Sequence, residues 1–460
     1  MIEIKYDLQP SDLSTKIERF WKLSAEKIRL IEAGFDPAGG SPVVTVRGKY
    51  TTRAWTEWTQ GFQFGTMILQ SDATGDESML REAQRLTVER MASHVSDFGV
   101  HDHGFNNVST YGNLRRLMRE DRIPFNQDQM DFYELALKVS GAVQARRWTP
   151  ILDGGYIYSF NGPHSLFVDT IRSCRSLSLA HLLGHRLADE TGNSVSLLTR
   201  MVQHARATAA YSVYYGEGRD SYDMRGRTAH ESIFNVENGV YRCPGTQQGY
   251  SPFSTWTRGL AWAMTGFAEE LEFLAILEDG ELESFGGWEA VEEWMLKAAT
   301  ATCDFYIEQT PGDGIPYWDT GAPGLPQLGG YLERPADPYN PEEPVDSSAA
   351  AIGVQGLLRL GHYLQEQGRE EAGRKYFQAG LTVLDRLLEE PYLSTDDQHQ
   401  GLILHSVYHR PNGWDYVPDG QQVPCGESSM WGDYHAREAV LYVQRLIEEH
   451  PYLTFFGPAE

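Results

Sequence analysis

Apolar residues recur at every third or fourth position through most of the chain, with charged residues between them. Ala372, Tyr376, Ala379, Val383 and Leu387, for example, fall on one face of a helix. The pattern predicts about twelve helices, over 11–33, 58–71, 77–95, 108–119, 127–146, 169–188, 193–211, 256–277, 286–309, 346–366, 370–389 and 430–448. Three junctions share one form, an apolar run, a polar turn with glycine and then a polar restart: SDATGDESML, ADETGNSVSL and QEQGREEAGR. Such turns join antiparallel neighbours. Six helical hairpins closing into a ring make an all-α, (α/α)6 barrel, expected here as one catalytic domain over residues 1–460. Long connections at 148–168, 212–254, 310–345 and 391–429 would gather at one end, where a rigid scaffold tends to carry function. The aromatics of 310–345 favour an ordered loop over a linker, and LILHSVYH-R-PNG-WDYV within 401–424 predicts a small β-hairpin.

Composition narrows the function. The chain has 460 residues, and its formal charge of −25 argues against nucleic acid, whose phosphates need a basic face. No apolar run reaches about eighteen residues, so no membrane span is expected. The start, MIEIKYDLQPSDL, lacks a signal-peptide core. Cys174, Cys243, Cys303 and Cys425 have no CxxC spacing and read as reduced thiols of a cytoplasmic protein.

The most informative stretch is TQQGYSPFSTWTRGLAW, residues 246–262. It mixes an amide, aromatics, hydroxyls and an arginine, as sugar sites do. Arg258 and Trp262 lie four apart and share a helix face, with Ser254 or Thr255 as the expected cap. Asp102, in HDHGFNNVSTYG, and Asp169, in SLFVDTIRSC, each precede a helix; a capping role is the plain alternative for both. If the two carboxyls converge, their pKa values move apart and one stays protonated near neutrality. His101 with His103, and His405 with His409, have metal-like spacing without a third ligand, so no metal is expected.

The ordered set WTQGF (58–62), HDHGF (101–105), FVDT (167–170), QGYSPFSTWTRGLAW (248–262), VDSSAAAI (345–352) and SSMWGDYH (428–435) resembles the unsaturated glucuronyl hydrolases, glycoside hydrolase family 88, from about residue 17 to 448. The resemblance implies an (α/α)6 barrel that hydrates the C4=C5 bond of a Δ4,5-uronate in lyase-generated glycosaminoglycan-type disaccharides. It implies Asp169 as general acid and base, with Asp102 hydrogen-bonding the uronate and holding Asp169 protonated. Trp58, His230, Gln248, Arg258 and Trp262 match the uronate subsite, Arg258 as a two-pronged partner of the carboxylate. No cofactor is implied. The partner is an unsaturated uronate di- or oligosaccharide, and the chain is expected as a monomer or homodimer.

Several positions depart from the family. Arg172 and Arg175 follow the acid, and Phe160 stands where a tryptophan is frequent. Ser406, His409 and Arg410 near the aglycone end suggest an anionic, sulfated second sugar. Rival readings are an α/α-barrel polysaccharide lyase, with Tyr111 and Asn106 as base and carboxylate neutraliser, an epimerase of similar shape, and a non-catalytic sugar-binding protein.

Overall fold

In a computed structural model, residues 1–54, 57–450 and 453–456 are described. The helices that build the ring are α1 (Ser14–Gly34), α2 (Gln60–Thr74), α3 (Glu77–Arg90), α4 (His103–Asn107, continued through Val108–Gly112 to Asn113–Arg119) and α5 (Gln127–Arg146). They continue with α6 (Thr170–Ser173 and Arg175–Leu182), α7 (Leu197–Tyr211), α8 (Thr257–Leu274), α9 (Trp288–Gln309), α10 (Ser347–Glu366), α11 (Glu370–Leu387) and α12 (Met430–Ile447).

The even-numbered helices contact one another in order, and α12 returns to α2, so the inner ring closes. Each odd-numbered helix packs outside its even neighbour, giving the α/α barrel that the periodicity predicts. Burial follows the same division. All 18 residues of α8 are buried, which suits a helix with neighbours on every side. Outer α11 leaves its first turn in solvent, with Glu370 and Glu371 exposed, and is buried from Gln378 to Asp385. The main apolar core runs from Ile2 to Phe456, with a second cluster of Tyr156, Leu166, Ala207 and Phe234.

The turn 71–80 is as expected: Gly75 takes a left-handed φ of 74° and Asp76 caps α3 by accepting from the Ser78 and Met79 amides. The turn in 188–197 is not. Asp189 Oδ1 accepts from the Thr191 and Asn193 amides at 2.9 and 2.7 Å, closing a β-hairpin between Arg186–Ala188 and Ser194–Ser196. The helix expected over 169–188 therefore stops at Leu182.

The hairpin expected over 401–424 is also absent, because carboxylates take its backbone donors. Asp433 accepts from the amides of Leu402 and Ile403, and Asp415 from those of Tyr408 and His409. Bridges to Leu393 and Ser428 and a short 3-10 turn, Arg410–Asn412, stand in its place. Segment 310–345 is ordered, with Tyr317 and Trp318 buried and Trp318 Nε1 donating to Glu343 at 2.8 Å. Among the described residues, no helix is long and apolar enough to cross a membrane.

Close approach at one glycine fixes the ring where it matters most. A Cβ on Gly104 of α4 would lie 2.2 Å from the Ser173 carbonyl oxygen of α6. Both backbones are fixed, so Gly104→Ala is expected to destabilise the protein by about 1–3 kcal/mol or more. Thermal unfolding with unchanged Tm would disprove this reading of the contact.

Candidate active site

Three short strands, unforeseen in the sequence, aim the central residues. Ser165–Phe167 pairs antiparallel with Glu231–Phe234, which pairs with Tyr241–Gly245. The ladder continues past the first pair, with the Val168 amide donating to the His230 carbonyl at 2.9 Å. Asp169 and His230 thus leave adjacent strands side by side. The third strand then delivers Gln247 and Gln248, whose amides both donate to His230 Nδ1. That leaves the His230 proton on Nε2, which is buried without a partner; burial pulls its pKa down to about 4, so the ring is neutral.

Asp102 and Asp169 each occupy the position before a helix, yet neither side chain caps it. The carboxyls instead line a cavity of about 560 Å³ at the loop-bearing end of the barrel. Their helices are stitched together beneath it. Ser173 Oγ donates to the His101 carbonyl at 2.6 Å and accepts from the Gly104 amide at 2.9 Å, and Gln144 Nε2 donates to both Ser173 Oγ and the His101 carbonyl.

His101 links the two acids, a role that the HxH spacing did not suggest. Its Nε2 lies 3.1 Å from Asp169 Oδ1 and 3.8 Å from Asp102 Oδ1, and only 2% of its side chain is exposed. His103 points elsewhere, to Ser140 and the Asp97 carbonyl. Burial works against charge on His101, but the two carboxylates outweigh it and raise its pKa. Burial pushes Asp102 up. Burial also acts to raise Asp169, but the neighbouring His101 charge and hydrogen bond bring it below the usual range. This order reverses the expectation that Asp102 keeps Asp169 protonated, because a histidine intervenes between the like charges.

Trp58, Phe160, Gln248, Arg258, Trp262 and His409 line the same cavity. Trp58 stacks on Trp431 with ring centres 5.0 Å apart, and Trp262 packs on Phe105. Phe160 is 55% exposed and lies parallel to the His101 ring at 6.2 Å. Arg258 and Trp262 share a face of α8, but Trp256, without a side-chain cap, stands before that helix in place of Ser254 or Thr255.

Two expectations change. Arg258 has no free fork: Nη1 donates to the Val407 carbonyl and faces Asp346, while Nη2 donates to Gln248 Oε1 at 2.6 Å and the Tyr408 carbonyl at 2.7 Å. It therefore orients the Gln248 amide, with its NH2 left for a ligand, and supplies positive potential. Arg410 does not line the cavity; it begins the 410–412 turn that His409 caps, and Ser406 Oγ faces Ser347. Arg172 and Arg175 also lie outside it, in a buried network with Glu269 and Glu438 beneath the acids. Tyr111 is buried against Thr87 and away from the cavity, so it cannot serve as a lyase base there.

No protein-family model matches the chain. It is 28% identical over 405 residues to the unsaturated glucuronyl hydrolase of Bacillus sp. (strain GL1), covering 86% of this chain and 89% of that one. The unsaturated glucuronyl hydrolase of Formosa agariphila is 26% identical over 393 residues, covering 85% and 81%. The crystal structure of the Bacillus sp. GL1 hydrolase superposes with a TM-score of 0.68 at 23% identity, over 92% of this chain and 95% of that one. A solved unsaturated glucuronyl hydrolase specific for heparin gives 0.70 at 19% identity, over 96% and 100%. In sequence and in fold alike, the chain is a relative of the unsaturated glucuronyl hydrolases across most of its length.

Proposed function

We propose that the protein is an unsaturated glucuronyl hydrolase that removes the terminal Δ4,5-uronate from lyase-generated disaccharides by hydrating the C4=C5 bond. The observation that carries this reading is the buried Asp102–His101–Asp169 group at the base of an aromatic-walled cavity, beside the Gln248–Arg258 pair. Asp169 gives its proton to C4 and then takes one from the water whose oxygen bonds to C5. The C5 hemiketal opens to a ketone, and the hemiacetal left at C1 releases the second sugar as an alcohol. One water is consumed, and Asp169 ends protonated as it began.

Gln248, oriented by Arg258, and neutral His230 offer N–H donors to the uronate. Trp58 and Trp262 supply flat apolar walls for the ring. Loss of ultraviolet absorbance from unsaturated disaccharides tests the proposal, since hydration destroys the conjugated double bond. A rise in absorbance on intact polymer would mean lyase chemistry, and no change in either assay would leave a binding protein.

A further inference from the structure

We propose, building on the hydrolase reading, that the rim of this cavity selects a second sugar that is neutral or carries an ammonium group and rejects one bearing sulfate. The inner group already contains two carboxyls. The partly exposed rim adds two more, Glu57 and Asp97. Glu57 Oε1 accepts from the Arg53 amide at 2.9 Å and Asp97 Oδ1 from the Gly99 amide at 2.8 Å, so local backbone donors hold both carboxyls at the cavity.

The rim amide is also set as an acceptor. Asn161 Nδ2 donates to the Glu231 carboxyl at 3.0 Å, so the Asn161 carbonyl faces outward and accepts a hydrogen bond from Gln247 Nε2 at 2.6 Å. This chain turns Gln247 Oε1 to the cavity. Hydroxyls and ammonium groups are donors that suit these oxygens, whereas a sulfate monoester has acceptors only and a permanent negative charge.

Among the described residues, no Lys or Arg other than Arg258 lines the cavity to offset a sulfate. The Arg258 Nη groups are bonded to protein oxygens. Arg53 backs the Trp414 ring at 4.5 Å and donates to the Trp414 carbonyl. Arg147 donates to the carbonyls of Phe98, Tyr158 and Ser159. The imidazoles of His94 and His409, both buried in the cavity wall, are neutral, burial bringing both down to about 4.

The test compares three disaccharides of one linkage, with an N-acetylated, a 6-O-sulfated N-acetylated or a free-amino second sugar. kcat/KM for the sulfated compound is expected to fall at least about tenfold below the unsulfated one at low salt, and the gap to shrink as salt rises. Glu57→Gln with Asp97→Asn should narrow the ratio, and Arg53→Ala should leave it in place. Equal or faster turnover of the sulfated compound overturns the proposal. Should none of the three be hydrolysed, the hydrolase reading fails, and affinities measured by calorimetry on the same compounds still decide the charge selection. Weaker binding of the sulfated one supports it, and equal binding or none refutes it.

Discussion

Asp169→Asn is expected to lower kcat on unsaturated disaccharides at least about 10³-fold while leaving their affinity within a few-fold. The amide has the size and hydrogen-bonding reach of the acid but neither gives nor takes the proton. General acid–base steps contribute about 10²–10⁴-fold, and here one group performs both transfers. In the empty site His101 keeps Asp169 below the usual carboxylate range. An anionic uronate displaces water from the cavity and adds a negative charge, and both changes drive a proton onto Asp169. Asp102→Asn should lose less, because the proposed mechanism gives Asp102 a hydrogen bond to substrate and no share in the transferred proton. Initial rates by absorbance, with binding by calorimetry, check both. Retention of a tenth of wild-type turnover by Asp169→Asn would move the chemistry to another residue.

The barrel was legible because its signal is local and repeated. Apolar spacing of 3.6 residues along α8, α10 and α12 needs only neighbours in sequence to be seen. The DETGN turn was misread because its composition suits a helical junction and a β-hairpin equally, and Asp189 decides by taking two amides that a helix would have used. The 165–167, 231–234 and 241–245 strands were invisible for a different reason: each has three to five residues, and the first is held only by pairing with 231–234, more than sixty positions away. At the site, residue types were legible and partners were not. Arg258 stood out as a cation in a sugar-like segment, but its bonds to the carbonyls of Val407 and Tyr408 span about 150 residues. Arg410 looked well placed only while 401–424 was taken as a hairpin. His101 was set aside with His103 as a weak metal pair, since nothing local shows that its ring meets an aspartate 68 positions away.

That histidine makes the second large prediction. His101→Gln keeps an N–H donor for Asp169 but cannot carry a proton, so substrate affinity should persist while kcat falls about 10–100-fold. The shape of the pH profile separates a proton-holding role from simple support. In the wild type, Asp102, His101 and Asp169 titrate as one group, and the two carboxylates raise His101 above its ordinary 6.5. A proton therefore stays within reach of Asp169 until the pH passes that raised value, which sets the alkaline limb of kcat/KM. Without the imidazole, two buried carboxyls share whatever proton remains, and they release it at lower pH than a raised histidine does. The alkaline limb should move at least about one pH unit toward acid. Stability carries the same sign: the folded His101 binds its proton more tightly than the unfolded chain, so that contribution is complete below about pH 6.5 and disappears as pH rises through the folded value. Unfolding free energy of the wild type should decline through that window, and His101→Gln should not show the decline. A reduced kcat with the wild-type limb unmoved would make His101 a support for Asp169 and nothing more.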